Sequence, residues 1–338
     1  MATCTAQKTG NWSDPTVWDA VPGNGDTVSA SSYTVTLDTD VNIGTGTLTN
    51  TTGTFAASTA GRTITANITA VSATCLTLAH SSGTITITGN ITGGSTSSQR
   101  GINYNSGSAS LSVVGNLTGG STTGCSAVRY AGTGTMTVSG DGTIAAGSGN
   151  SAYGLEITAA ATVNITASAQ GGSNANGHGV SNSSTATVTI TGNATGGSNA
   201  SAHGVYNSST GTVSVSGTAT GGTAGYGAAN NSTGSMTVGR AKGGTAPGTY
   251  GANSGGPVKI YEIEYGTNGY SPTAGYIKLI SSPTRNIAIF KDSAGGSDIA
   301  LSNDYPTNAQ VESGVVFHLG TQTGTYAGGG STVIVIED

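Results

Sequence analysis

The sequence predicts an all-β fold, a single-chain parallel β-helix, and three observations carry the prediction. First, a phrase of about 25 residues recurs down the middle of the chain, a period typical of stacked architectures whose units cover one another. Gly-Gly marks it at Gly93-Gly94, Gly119-Gly120, Gly171-Gly172, Gly196-Gly197, Gly221-Gly222 and Gly243-Gly244. Ala145-Ala146 fills the slot of a further pair, so the step is nearly constant from Gly93 to Gly221 and shortens only at Gly243. Second, each copy holds three short β-type runs separated by Gly, Asn and Ser, as in His203-Gly204-Val205, Thr212-Val213-Ser214-Val215 and Thr218-Ala219-Thr220; these separators punctuate strands. Third, Gly supplies 57 of 338 residues and strong helix formers are scarce, which excludes a helical solenoid.

The inward positions form columns. The first strand supplies Ile85 and Ile87, Leu111 and Val113, Met136 and Val138, Val163 and Ile165, Val188 and Ile190, Val213 and Val215, Met236 and Val238, and ends near Val258 and Ile260. Alternate Thr and Ser face outward, as a period of two requires. The second face supplies Ile91, Leu117, Ala169, Ala194, Ala219 and Ala241; the third supplies Ile102, Val128, Leu155, Val180, Val205, Ala228 and Ala252. The drift towards Ala predicts a narrower or flatter coil in the later repeats. A left-handed hexapeptide helix closes each turn with three hexapeptides, too short for this period, and calcium-binding nonapeptide coils need an Asp in each copy; neither fits. The Val-x-Val columns argue against disorder, which a Gly-, Ser- and Thr-rich composition would otherwise suggest. The expected form is right-handed and three-sided.

Three regions follow: residues 1–40 as N-terminal cap and first coil, 41–262 as the β-helix, and 263–338 as a small C-terminal β domain. The cap would cover a strand edge that otherwise aggregates. The last region carries Tyr265, Tyr270, Tyr276, Phe290, Tyr305, Phe317 and Tyr326, with strand-like runs at Tyr276–Ile280 and Asn286–Phe290. Its terminal Val333-Ile334-Val335-Ile336 run is apolar on both faces and wants burial.

Charge is sparse, at 7% with a net −5. Between Val41 and Gly239 only Arg62, Arg100, Arg129, Asp141 and Glu156 are charged. There is no basic footprint for nucleic acid, and no run long enough for membrane insertion. Met1 to Asp26 contains neither a basic start nor an apolar core of a signal peptide, although the composition looks extracellular. Cys4, Cys75 and Cys125 are odd in number and irregularly spaced, so no disulfide framework is expected and a buried free thiol is the reading for Cys75.

Two segments carry a resemblance. Gly10-Asn11-Trp12-Ser13-Asp14-Pro15, Val17-Trp18, Pro22-Gly23-Asn24-Gly25-Asp26-Thr27-Val28 and the strand Thr34–Thr36 together resemble the N-terminal coil of β-helical phage virion proteins and bacterial surface proteins. Tyr305-Pro306, Val311–Phe317 and Gly324-Thr325 resemble a segment near the end of some phage structural proteins. The resemblance implies a non-enzymatic virion structural protein, a capsid decoration or tail fibre component on the exposed particle surface, homotrimeric and in contact with other capsid or tail proteins. An extracellular or cell-surface location is the alternative, with host surface glycan as a further partner.

Candidate sites are few, and no catalytic, cofactor or metal site is expected. Phage tailspikes of similar build cleave polysaccharide, and glycoside hydrolysis usually needs two carboxylates flanking the bond. The coils offer only Asp141, at a corner where other repeats have Asn, and Glu156, expected to point to solvent. A lyase using Lys or Arg has equally thin support. One outward column stands out, at the position just before the inward Gly-Val step: Arg100, Ser126, Tyr153, His178, His203, Tyr226 and Tyr250. Tyr153, His178, His203, Tyr226 and Tyr250 could form a strip for sugar rings or a seam against a neighbouring chain, or a stacking ladder that covers the backbone. Two histidines alone fall short of a metal site. The Gly-Gly pairs lack the following helix of a phosphate loop, and the N-x-S/T sequences arise from the repeat.

Overall fold

The computed structural model describes residues 2–264, apart from 58–60, 141, 174–175, 200, 247–250 and 255–257. Beyond these it describes the short strands at 278–279, 316–317 and 322–323. The described chain is all-β apart from one turn of 3-10 helix, and the strands of its two large sheets pair in parallel as a β-solenoid. Equivalent side chains of neighbouring coils, such as Asn182 and Asn207, recur at the period read from the Gly-Gly pairs.

Three strand columns run the length of the stack. In the first, Val41 pairs with Ile64, and the register continues through Ile87, Val113, Val138, Ile165, Ile190, Val215, Val238 and Ile260. In the second, Leu48, Ile68, Ile91, Leu117, Ile144, Ala169, Ala194, Ala219, Ala241 and Ile263 follow one another. The third runs Val35, Phe55, Leu76, Ile102, Val128, Leu155, Val180, Val205, Ala228 and Ala252. The members up to Val238, Ala241 and Ala252 whose exposure is described are buried. One coil cannot enclose these side chains by itself; it becomes stable when the coils above and below cover it.

The first two columns belong to one 17-stranded sheet and the third to a 12-stranded sheet. Between Thr84 and Thr195 the first two columns stay separate strands in each coil, divided by a corner. At Thr212–Thr220 and Met236–Lys242 they fuse into single strands that cross the corner, with a register shift between Val215 and Thr218. The same fusion occurs at Val41–Asn50 and Arg62–Ala70, where the second column holds Leu48 and Ile68, so it does not follow the Ala columns.

Corners and crossings explain the punctuation. Gly89 and Gly115 adopt φ of 144° and 141°, a conformation open to Gly alone, and the following Asn stitches the coils. The Asn90 N–H donates to Asn67 Oδ1 at 3.0 Å, Asn116 to Asn90 at 3.1 Å, Thr143 to Asn116 at 2.9 Å and Thr218 to Asn193 at 2.8 Å. At the Gly-Gly pairs the backbones touch: a Cβ on Gly197 would overlap the Gly172 carbonyl oxygen, and one on Gly222 would overlap that of Gly197.

The N-terminal end is covered. Thr3–Thr5 pairs with Thr27–Ser31 and Gly10–Asn11 with Thr34–Thr36. The 3-10 turn Pro15–Val17, capped by Asp14, leads into Trp18, which is buried and meets Trp12 edge-on at 5.0 Å. Asp19 closes the strand edge: its carboxylate accepts the Thr5 N–H at 2.6 Å and its own N–H donates to the Thr5 carbonyl at 3.1 Å. At the other end, Lys278–Leu279 pairs in parallel with Asn253–Ser254. The third column therefore continues past residue 262, where the sequence places the start of a separate domain. The antiparallel pair Val316–Phe317 and Gln322–Thr323 is also described; Asn286–Phe290 and Val333–Ile336 lie outside the described residues.

Candidate functional site

The site lies along the entry to the third column. Gly154, Gly179, Gly204 and Gly227 sit there because the chain passes close to its neighbours. A Cβ on Gly179 would lie 2.7 Å from the carbonyl oxygens of both Gly204 and Thr195, tighter than any real contact. With that position held by Gly in each of these coils, the residues before it fall into one line. The rings of Tyr153, His178, His203 and Tyr226 stack along the solenoid axis. Tyr153 and His178 are 5.4 Å apart with their planes 13° from parallel, His178 and His203 4.9 Å and 6°, and His203 and Tyr226 5.2 Å and 18°. Tyr206, on the outer face of the adjoining strand, lies against both imidazoles at 4.8 and 5.5 Å. Tyr250 lies outside the described residues.

Hydrogen bonds fix the stack. The His203 backbone N–H donates to His178 Nδ1 at 2.9 Å, and the Tyr226 N–H donates to His203 Nδ1 at 2.9 Å. Ser126 Oγ does the same for the Tyr153 N–H at 3.2 Å, and Thr74 Oγ1 for Arg100 at 3.5 Å. The position therefore calls for a side-chain acceptor that meets the N–H of the next coil. Because each Nδ1 accepts, each imidazole carries its proton on Nε2 and is neutral. Burial pushes His178 down to about 3, helped by its neighbour His203, and burial alone pushes His203 down to about 4.

Of the arrangements the sequence allows for this column, the described rings take that of the stacking ladder. His178 is only 6% exposed, and His203 and the tyrosines are half-buried. The ring faces are spent on one another, so what the ladder presents outward is ring edges. A sugar ring stacks on a free aromatic face, and within this stack the faces between neighbours are taken.

Glu156 also departs from expectation. It does not stand free in solvent but lies between two arginines, with Arg100 Nε at 3.7 Å and Arg129 Nε at 4.0 Å, and Ser126 Oγ at 3.5 Å. Arg129 reaches on to Asn103 and Asn105 at 3.5 and 3.4 Å. Asp141, the other carboxylate considered, lies outside the described residues. Among the described residues no three of His, Cys, Asp and Glu come together as metal ligands.

An interior ladder escapes the sequence reading. Asn182, Asn207 and Asn230 are fully buried on the third column. Asn182 Nδ2 donates to Asn207 Oδ1 at 3.1 Å, and Asn207 Nδ2 donates to Asn230 Oδ1 at 3.1 Å. Asn207 also reaches the Gly211 carbonyl at 3.2 Å and Asn230 that of Gly234 at 2.6 Å. A signal for it exists: each Asn stands two residues after an inward Val180, Val205 or Ala228 and so shares its face. Earlier coils fill this position with Tyr104 and Tyr130, whose rings are 4.7 Å apart. The Tyr104 hydroxyl lies 3.1 Å from the His80 carbonyl and 2.9 Å from that of Ala109, whereas the buried Tyr130 hydroxyl meets no partner. All three cysteines are buried and free, and burial pushes the Cys75 thiol up to about 12.

No family model, no curated protein and no solved structure matches this chain. Among the described residues no helix is long and apolar enough to cross a membrane.

Proposed function

We propose that this chain is a non-enzymatic virion structural protein of a phage: a rigid, exposed β-helical rod that serves as a capsid decoration or fibre component and associates as a homotrimer with other virion proteins. The observation that carries the reading is the coil-to-coil stitching. Outer asparagines, inner asparagines, stacked rings and three apolar columns each bind one coil to the next. Such continuity gives a stiff spacer. The clamped Glu156 and the resemblance of the Gly10–Val28 stretch support the non-enzymatic, virion side of the proposal, since fold alone supplies no function.

Immunogold labelling of intact particles, together with the native mass of the purified chain by light scattering, tests it. Surface labelling of particles and a trimeric mass are the expected results. Absence from particles, with the chain recovered from a secreted fraction, would overturn the reading.

A second reading, attachment to host surface glycan, is favoured by one observation: Tyr153, Tyr206 and Tyr226 gather with the two imidazoles on one outer corner. Any such ligand meets ring edges and Tyr206. Unchanged glycan-array and cell binding in Tyr206→Ala and Tyr226→Ala would remove this reading.

A further inference from the structure

We propose that His178 and His203 form an acid-responsive latch: with both imidazoles neutral they tie neighbouring coils together, and protonation lets that section of the rod open while the histidine-free coil at 126–145 stays closed. The proposal goes beyond the rod reading and stands on the geometry of the ladder.

Each imidazole does two jobs that need the neutral form. Its Nδ1 lone pair accepts the N–H of the following coil, at 2.9 Å in both cases, and its ring stacks on its neighbours in the ladder. A proton taken from solvent onto Nδ1 converts the acceptor into a donor aimed at another donor. That breaks the bond and leaves a backbone N–H unpaired. It also places one cation 4.9 Å from the second imidazole, so the second protonation is opposed by the first.

Among the described residues no carboxylate acts on either imidazole. Among the described residues the titratable groups facing the pair are Tyr153 on one side, Tyr226 on the other and Tyr206 along the flank, none of them a carboxylate. Glu156 lies towards Tyr153 and is engaged by Arg100 and Arg129. Among the described residues the causes acting on the two histidines are burial and, for His178, the charge of His203.

The sign follows from linkage. Both histidines fall below their ordinary 6.5 in the folded chain, to about 3 and about 4. Between those values and 6.5 the open form binds more protons, so the closed form is fully favoured above 6.5 and loses ground as pH falls. For His203 alone the shift corresponds to a change on the order of a few hundredfold in the opening equilibrium.

The fold supplies its own control. At the outer corner Asn90 Oδ1 accepts the Asn116 N–H at 3.1 Å, so an Asn can hold the next coil without titrating. Amide hydrogen exchange, corrected for intrinsic rates, would be followed from pH 7 to pH 4 in the wild-type chain and in His178→Asn/His203→Asn. The expected wild-type result is a loss of protection of a hundredfold or more across 176–230, with 126–145, which lies away from the buried His80, unchanged. In the variant that segment-specific loss disappears. Equal loss in both segments of the wild type, or its persistence in the variant, would overturn the latch. Should the variant not fold, nitrogen NMR of the wild-type imidazoles decides: Nε2–H tautomers persisting below pH 5 support the latch, and titration near 6.5 overturns it. None of these readouts depends on whether the chain is found on particles.

Discussion

Replacing Asn207 by Ala tests whether the interior amide ladder is a structural column or an incidental contact. The side chain is fully buried. It accepts from Asn182 Nδ2 and donates to Asn230 Oδ1 and the Gly211 carbonyl, all at 3.1 to 3.2 Å. Truncation leaves the Asn182 amide without its Asn207 acceptor and the Gly211 carbonyl without its Asn207 donor, inside the solenoid. A stranded buried polar group costs ~1 to 3 kcal/mol, so with two such groups the substitution is expected to cost about 2 to 6 kcal/mol. Asn193→Ala is the comparison. Asn193 is exposed at the outer corner and holds one N–H, that of Thr218, which water can reach, so its loss is expected to cost about 1 kcal/mol or less. Stacked repeats open in sections, so the readout is urea unfolding combined with amide exchange across Val205–Asn207 and Ala228–Asn230. The reasoning fails if Asn207→Ala costs less than about 1 kcal/mol or if the two variants are indistinguishable.

Three further outcomes can be checked. Tyr104→Phe is expected to lose about 1 kcal/mol by thermal unfolding, because its hydroxyl bridges two buried carbonyls, while Tyr130→Phe is neutral or stabilising because its hydroxyl meets none; a greater loss at Tyr130 would contradict this. Gly197→Ala is expected to destabilise by roughly 3 kcal/mol or more, since the added methyl overlaps the Gly172 carbonyl oxygen, and circular dichroism during urea titration reads it. Cys75, buried and with its thiol pushed up to about 12, is expected to resist alkylation at pH 8 until denaturant is added; mass spectrometry showing rapid labelling of the folded chain would refute the packing described here.

What the sequence shows plainly is whatever repeats at a fixed parity. Ile87, Val113, Val138 and Ile190 can be placed on one wall because each lies two residues from another apolar residue and one coil from its counterpart. The Gly-Gly pairs are legible for the same reason, although their cause, backbone contact between coils, appears only in three dimensions. Asn182 and Asn207 are visible yet easily misassigned, because Asn is usually a turn residue and its parity with Val180 and Val205 is the weaker cue. The sequence locates the His column and overstates its openness. Sequence spacing places a ring but does not reveal that the rings above and below cover its faces. The Arg100–Glu156 pair crosses two coils, a separation at which charges so rare show no pattern.

The two halves of the described solenoid are held together by different forces, and the interior columns show where the change falls. From Phe55 to Ile157 the third strand column is filled by Leu76, Leu78, Ile102, Tyr104, Val128, Tyr130 and Leu155, all buried. Cohesion between these coils rests mainly on apolar burial, with one buried imidazole, His80, set against Tyr104. From Val180 onward one inward position becomes Val and then Ala, the other becomes Asn, and the second column turns to Ala. Less apolar surface is available there, and the stitching passes to amide and imidazole hydrogen bonds. The stacked histidines occur in this same stretch, beside Asn182 and Asn207. A coil with a smaller apolar core depends more heavily on each hydrogen bond between neighbours, so losing the two imidazole acceptors there removes a larger share of the cohesion. Placed beside Tyr104 and Tyr130, the same pair would be backed by enough apolar packing to make its protonation a minor perturbation.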